Sequence, residues 1–279
     1  PFEKGAKNNN SAIQRKAGYY RSIYEDNNQL EKVLDWVDQY LGENTLFIYS
    51  ADHGATGKFT VYDRGLNVPF VVRWPGVVKA NTRSDVMVHY TDVLPTYIDI
   101  LGGEVPAGID GTSFLPVLKG STDEIHEYVY GVRTNQNIQK TSVFPSRMIR
   151  SKKYKYIKNF NSIEVVDKNM GDNEYVNKFI RLGAEEFKDV PYEELYDIEN
   201  DPYEMVNLAQ NDKYQDIKNS LSTELSRWMK EQGDILDEPG KMPLLKPTLH
   251  HLDRTSRFKK VDVELENTLN DSVYLELHY

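Results

Sequence analysis

The sequence predicts an α/β fold, and three patterns carry that prediction. Apolar residues recur at helical spacing across residues 11–41. Two short apolar runs, Leu46–Tyr49 and Val68–Val72, flank a polar loop, as buried strands do. Further on, residues 128–159 alternate basic and apolar side chains at strand spacing and lead, after a polar stretch, to a last amphipathic helix.

Taken in order, residues 1–10 are polar and loosely held. The first helix is expected over Ser11–Leu41, with Ile13, Ala17, Tyr20, Ile23, Tyr24, Leu30, Val33, Leu34, Val37 and Leu41 at helical intervals. Gly42 is a natural stop, and Asn27–Asn28 is a weak point where the helix is expected to kink. The tyrosines read as packing groups.

The loop between the two apolar strands, Ser50-Ala51-Asp52-His53-Gly54, leads to Lys58 just after Gly57. In open α/β sheets, ligands sit beyond the carboxyl ends of strands. Asp52 offers hard carboxylate oxygens and His53 an imidazole nitrogen, a pair able to ligate a divalent cation. Lys58 is a flexible point charge suited to sulfate or phosphate. Read from residues alone, Asp-His-Gly also fits an ordinary turn after a strand, because Asp and Gly are turn residues for unrelated reasons.

Ser84–Tyr90 reads as a short strand, and Thr91-Asp92 as the cap of a helix with Pro95 in its first turns and Leu94, Tyr97, Ile98 and Leu101 toward the core. His89 and Asp92 invite a catalytic pairing, but a strand histidine and a capping aspartate explain them more simply. Strands are expected at Tyr128–Val132, Ser146–Arg150 and Tyr154–Asn159, with Lys152, Lys153 and Lys155 on a solvated hairpin. A helix is expected at 173–187 and a strand at Glu194–Ile198, then an Asp201-Pro202 turn. The final helix covers Tyr214–Gln232 and presents Ile217, Leu221, Leu225, Trp228 and Met229 on one face. Val261–Leu265 and Val273–Leu277 alternate like edge strands, and His250-His251 reads as a solvent-exposed pair.

A net charge of −9 without a dense basic run argues against a nucleic-acid partner. No apolar stretch is long enough to span a membrane. The chain has no cysteine, so disulfides and thiolate metal sites are excluded.

The string SADHG, then GKFTVYDRG, then VPFVVRWPG resembles the second signature region of the formylglycine-dependent sulfatases. VHYTDVLPTYIDILGG, GIDGTSFLPVLKG, the Glu-Leu-Tyr-Asp, Asp-Pro-x-Glu and Asn-Leu run of residues 194–208, and RWMKEQGD extend the likeness over most of residues 13–237. The resemblance implies that Asp52 and His53 help bind a calcium ion and that Lys58 contacts the substrate's sulfate. Phe144-Pro145-Ser146-Arg147 stands where the heparan N-sulfatase (sulfamidase) subgroup has a Tyr-Pro-x-Arg string, which makes Arg133, Asn135 and Arg147 candidate substrate contacts. That subgroup often carries His in the polar loop where this chain has Asn135 and Asn137.

The implied fold is the second half of an alkaline-phosphatase-like mixed sheet over residues 1–120, a smaller antiparallel sheet with a helix over 121–237, and an extension over 238–279. The implied chemistry is hydrolysis of sulfate esters or sulfamates on a sulfated carbohydrate. A hydrated formylglycine attacks sulfur, calcium holds nucleophile and sulfate, and Lys58 offsets the developing charge. The family makes formylglycine from a Cys/Ser-x-Pro-x-Arg motif. Ser11–Arg15 (SAIQR) and Val143–Arg147 (VFPSR) are chance matches, and neither is followed by Leu-Thr-Gly. The expectation is therefore the C-terminal half of a periplasmic or secreted sulfatase, inactive without the N-terminal half that carries the nucleophile and two further aspartate ligands. Two alternatives stay open: a phosphate or phosphonate ester hydrolase of the same superfamily, and a non-catalytic glycan-binding remnant.

Overall fold

The structure, a computed structural model, describes residues 10–54, 60–133, 145–160, 190–234, 236, 241–244 and 273–276. The chain divides into two compact units, one of Pro1–Tyr49, Phe70–Arg83 and Leu118–Gly120, the other of Ser50–Pro69, Ser84–Val117 and Ser121–Tyr279.

In the first unit, α1 (Asn10–Tyr40) runs unbroken through Asn27–Asn28. It ends as its sequence requires: Gly42 adopts φ 72°, and its N–H reaches back to the Val37 carbonyl at 3.3 Å. Val37 of this helix is buried, whereas Ile13, Tyr20, Ile23, Tyr24, Val33 and Tyr40 are exposed. Strand β1 (Phe47–Ser50) hydrogen-bonds to β2 (Phe70–Arg73), one residue or two beyond the apolar runs that announce them. Arg73 donates to Asp38 at 2.5 Å, tying β2 to α1.

The second unit is built on an antiparallel sheet in the order β3 (Val129–Arg133), β4 (Ser146–Arg150), β5 (Tyr154–Asn159), β6 (Glu193–Asp197). Helix α5 (Gln215–Glu231) covers one face, where Leu221, Leu225 and Met229 meet Ile149, Tyr156 and Leu195. Burial of such side chains stabilises the packing by about 1.5–3 kcal/mol each. Val61, Met148, Ile157, Tyr196 and Ile198 form a second core with Tyr62 packed against it, so residues from the loop after the polar turn lie on this sheet. Two-sided cover explains why Ser146–Ile149 and Lys155–Ile157 are buried at every position instead of every second one.

Three expectations are corrected here. Ser84–Val88 is not a strand: the Val86 N–H is drawn to the Ser84 hydroxyl at 3.2 Å, and His89 and Asp92 close a reciprocal cap on a short 3₁₀ turn, Tyr90–Asp92. Helix α3 (Val93–Ile100) buries Pro95 and Thr96 and leaves Leu94, Tyr97 and Leu101 exposed. The Thr96 hydroxyl donates to the Asp92 carbonyl at 2.6 Å and accepts from the Phe114 N–H at 2.9 Å, which turns the polar position inward. Lys155 is fully buried, although Lys152 and Lys153 are about half exposed as expected. Short helical turns α2 (Asp63–Leu66) and α4 (Leu115–Leu118), and an antiparallel pair of β7 (Lys241–Leu244) with β8 (Val273–Glu276), complete the described elements. The expected helix at 173–187, the strand at Val261–Leu265 and His250-His251 lie outside the described residues.

Candidate functional site

The polar loop leaves β1 at Ser50 and is held by a short network. The Ser50 hydroxyl donates to the Pro69 carbonyl at 2.7 Å and lies 2.6 Å from the Tyr90 hydroxyl, which also bonds the Ala51 carbonyl. Gly54 fixes the other end. Its N–H donates to the Gly65 carbonyl at 2.8 Å, and a Cβ there would lie 2.2 Å from the Arg64 carbonyl oxygen. Only glycine allows backbones to approach so closely.

Between these fixed points stand Asp52 and His53. The Asp52 side chain is 80% exposed and that of His53 35%. The His53 Nδ1 lies 2.7 Å from the Gly54 carbonyl, which can only accept, so Nδ1 carries the proton. In the neutral ring, Nε2 then presents a lone pair, and it lies 3.6 Å from Asp52 Oδ1. Two donors on one ion at about 2.4 Å each, near a right angle, lie about 3.4–3.7 Å apart. The pair therefore fits one edge of a cation's coordination shell, with the ring oriented by its second nitrogen as metal-binding histidines commonly are. Among the described residues no third His, Cys, Asp or Glu joins them to make a cluster of three. Calcium's usual oxygen set would need several further ligands.

The other expected contacts fall elsewhere. Lys58 and Asn135 lie outside the described residues. Arg133 ends β3, and burial lowers its guanidinium pKa from the ordinary range, against a smaller opposing effect of Tyr62. Arg147 is buried: its Nε and Nη2 pair with the two oxygens of Asp234, and Nη1 donates to the carbonyls of Arg133 and Ser146 at 3.0 Å. A guanidinium spent on four protein acceptors supports the architecture of β4 in place of a substrate contact.

Three features go beyond the residue-level reading, which had Asp92 only as a cap. Tyr90 holds the Ala51 carbonyl. Asp92 is fully buried and accepts from the N–H groups of His89 (2.6 Å) and Thr112 (2.8 Å) and from His126 Nε2 (2.9 Å), a structural hub. Tyr62 and Asp63, next to each other in YDRG, are gripped separately. The Tyr62 hydroxyl donates to both oxygens of buried Glu194 at 3.0 and 2.9 Å, and Tyr196 and Asn159 also donate to that carboxylate. Burial first, then Glu194, pushes the Tyr62 and Tyr196 phenols well above their ordinary pKa. Asp63 pairs with Lys155 and with Arg150 at 3.3 Å. Lys155 shares a strand face with Ile157, two residues on, but its place beside Lys152 and Lys153 pointed to solvent.

Fold and loop together define an α/β chain of the alkaline-phosphatase-like kind. A family profile described as N-sulphoglucosamine sulphohydrolase, C-terminal, matches residues 51–186. An ulvan-active sulfatase of Formosa agariphila is 53% identical over 283 residues, covering all of this chain and 57% of that protein. A solved 2-O GAG sulfatase superposes with a TM-score of 0.53 at 29% identity, over 69% of this chain and 38% of its own. The phosphonate monoester hydrolase of Agrobacterium radiobacter shares the fold at TM-score 0.58 and 22% identity, over 78% of this chain and 41% of its own. The chain belongs to the sulfatase family and corresponds to its C-terminal part. It spans little more than half the length of the first of these relatives.

Proposed function

We propose that this chain is the C-terminal portion of a sulfatase that hydrolyses sulfate esters or sulfamates on a sulfated glycan. Asp52 and His53 supply part of a calcium site, and Lys58 meets the sulfate. The observation that carries this reading is the pair itself, an imidazole whose Nδ1 is committed to Gly54 and whose Nε2 faces a carboxylate oxygen 3.6 Å away. The relatives' activities on ulvan and GAG chains support a polyanionic carbohydrate substrate. Heparan sulfate is one member of that class. Bound there, a divalent cation supplies Lewis-acid polarisation of the sulfate oxygens. The chain's own residues orient it: Tyr90 and Gly54 hold the two ends of the loop, His53 presents one nitrogen, and Lys58 offers an ammonium to the transferred group. Arg133, at the end of β3, is retained as a contact for anionic groups, and Asn135 as a contact for sugar hydroxyls. For Arg147 the buried pair with Asp234 favours a supporting role beneath them.

The 279 residues alone contain no cysteine and no serine in the formylglycine motif, so the isolated polypeptide is expected to show no sulfatase turnover. The complete enzyme, meaning this chain joined to a nucleophile-bearing segment, provides the test. Lys58→Ala or Asp52→Asn is expected to lower sulfate-ester kcat/KM at least about 100-fold. Wild-type-like rates in both variants would sink the assignment. Calcium and manganese titrations read the ion preference, since imidazole is a softer donor than calcium's usual oxygens.

A second reading, phosphate or phosphonate ester hydrolysis, is favoured by the shared fold of the phosphonate monoester hydrolase. Parallel rates on sulfate, phosphate and phosphonate esters of one leaving group separate the two.

A further inference from the structure

We propose that Lys155, on the C-terminal sheet, is a positioning residue for the Asp52–His53 pair about one hundred positions earlier in the chain. The inference rests on the reading of that pair as metal ligands, but the contacts that motivate it do not.

Lys155 Nζ is fully buried, donates to the Val61 carbonyl at 3.1 Å and to Asp63 Oδ1, and forms an ion pair with Glu204 Oε1 2.7 Å away. The other Asp63 oxygen lies 3.3 Å from Arg150, and Glu204 Oε2 accepts from the Asp63 N–H at 2.8 Å. The two cations and the Glu204 carboxylate thus hold Asp63 by its side chain and its backbone. Lys155 and Arg150 sit opposite each other on β5 and β4, a like-charge pairing that these carboxylates make tolerable.

Asp63 opens α2. From there the contacts run without a break: the Gly65 carbonyl of that turn accepts from the Gly54 N–H at 2.8 Å, and the Gly54 carbonyl accepts from His53 Nδ1 at 2.7 Å. The close approach at Gly54 leaves no slack, since even one added carbon would collide with the Arg64 carbonyl. A shift of Asp63 is therefore passed to the ring that faces Asp52.

Stability alone does not account for the cluster. Apolar replacements of buried ion pairs are often neutral or stabilising. Backbone strain is also spent on it: Glu204 sits at φ 54°, a left-handed conformation that glutamate rarely adopts, and its side chain is only 3% exposed. Geometric registry of the loop is the gain that matches these costs.

The test compares Lys155→Met with Leu225→Ala in the complete enzyme. Leu225→Ala destabilises the opposite face of the same sheet and touches neither α2 nor the loop. Two quantities are read: hydrogen exchange of the Gly54 amide, and calcium affinity by calorimetry. Lys155→Met is expected to cut Gly54 protection, normalised to global stability, at least about 10-fold, and to weaken calcium binding about 10-fold or more. Leu225→Ala should leave both within about 2-fold. Equal effects in the two variants, or normalised protection unchanged in Lys155→Met, overturn the proposal. If the wild type binds no calcium while only Lys155→Met exposes Gly54, the metal reading fails and the positioning role stands. If Lys155→Met does not fold, Asp63→Asn reads the same contact with the same criteria.

Discussion

Replacing Gly54 by alanine tests the geometry of the loop at its tightest point. The added Cβ would lie 2.2 Å from the Arg64 carbonyl oxygen, 2.8 Å from its carbon and 3.2 Å from the Gly65 nitrogen. A carbon–oxygen contact tolerates no less than about 3.3 Å, so one backbone must retreat by roughly 1 Å. All three obstacles are backbone atoms, so no side chain can swing aside. The retreat breaks the Gly54–Gly65 hydrogen bond of 2.8 Å at a buried residue, costing about 1–3 kcal/mol. Local overpacking adds about 1–3 kcal/mol. Urea unfolding of the full 279-residue chain, followed by far-UV circular dichroism, should therefore register a loss of at least about 2 kcal/mol. In the complete enzyme, a displacement of about 1 Å at the proposed metal-binding pair is expected to cost on the order of 100-fold in kcat/KM. A stability change below about 0.5 kcal/mol, with the Gly54 amide still protected from exchange, would refute the close-packed account of this turn.

Three further perturbations probe the frame. Leu225→Ala, at a side chain 1% exposed between α5 and the sheet, should lower unfolding free energy by about 2–5 kcal/mol in urea titrations. Asp234→Asn leaves the buried Arg147 guanidinium without its counter-charge and should cost about 3–5 kcal/mol by the same assay; a change under 1 kcal/mol would mean that the pair is dispensable. Glu204 is raised above its ordinary carboxyl pKa, mainly by burial and against the pull of Lys155. Its folded form therefore holds a proton more tightly than the unfolded chain. This contribution to stability is present below about pH 4.5 and is lost as pH rises through the raised folded value. Glu204→Gln should remove that downward slope just above pH 4.5, and an unchanged stability–pH profile would contradict the assignment.

How much of this was legible in the chain differs element by element. The hairpin Ser146–Arg150 and Tyr154–Asn159 was readable to the residue, because its alternation is bounded by a lysine-rich turn. The long first helix and the last one were readable to within two residues, from periodicity and from Gly42. The strand expected at Ser84–Tyr90 was not, because local side-chain bonds from Ser84, His89 and Asp92 outbid an apolar alternation of only a few residues. Likewise the apolar face of α3 misled, since Thr96 is turned inward by a local bond to the Asp92 carbonyl and by the Phe114 N–H, a partner eighteen residues away that only the folded chain brings to it. At the site, Asp52 and His53 were singled out by donor chemistry and by the resemblance, and the structure sets them side by side. Lys155 does not, because a lysine beside two others on a hairpin reads as solvated until Asp63 and Glu204, about ninety and fifty positions away, are brought to it.

That contrast separates two kinds of residue within one signature stretch. Asp52 and His53 stand on the solvent side of the loop, where a ligand can reach them. Tyr62 and Asp63, ten positions on, are turned into the protein and consumed by Glu194, Lys155 and Arg150. Side chains of the second kind can be shared by enzymes that cleave different bonds, because they hold a backbone path and never meet the substrate. A phosphonate monoester hydrolase and a 2-O GAG sulfatase both share this chain's fold. On the function proposed above, the choice between sulfate and phosphorus esters rests with groups reaching the transferred oxyanion, for which Lys58 and Arg133 are the proposed candidates, and substitutions in the Lys155 cluster should depress both activities in equal proportion. A variant of Lys155 or Asp63 that altered the ratio of the two activities would place that cluster within reach of the substrate and overturn the division.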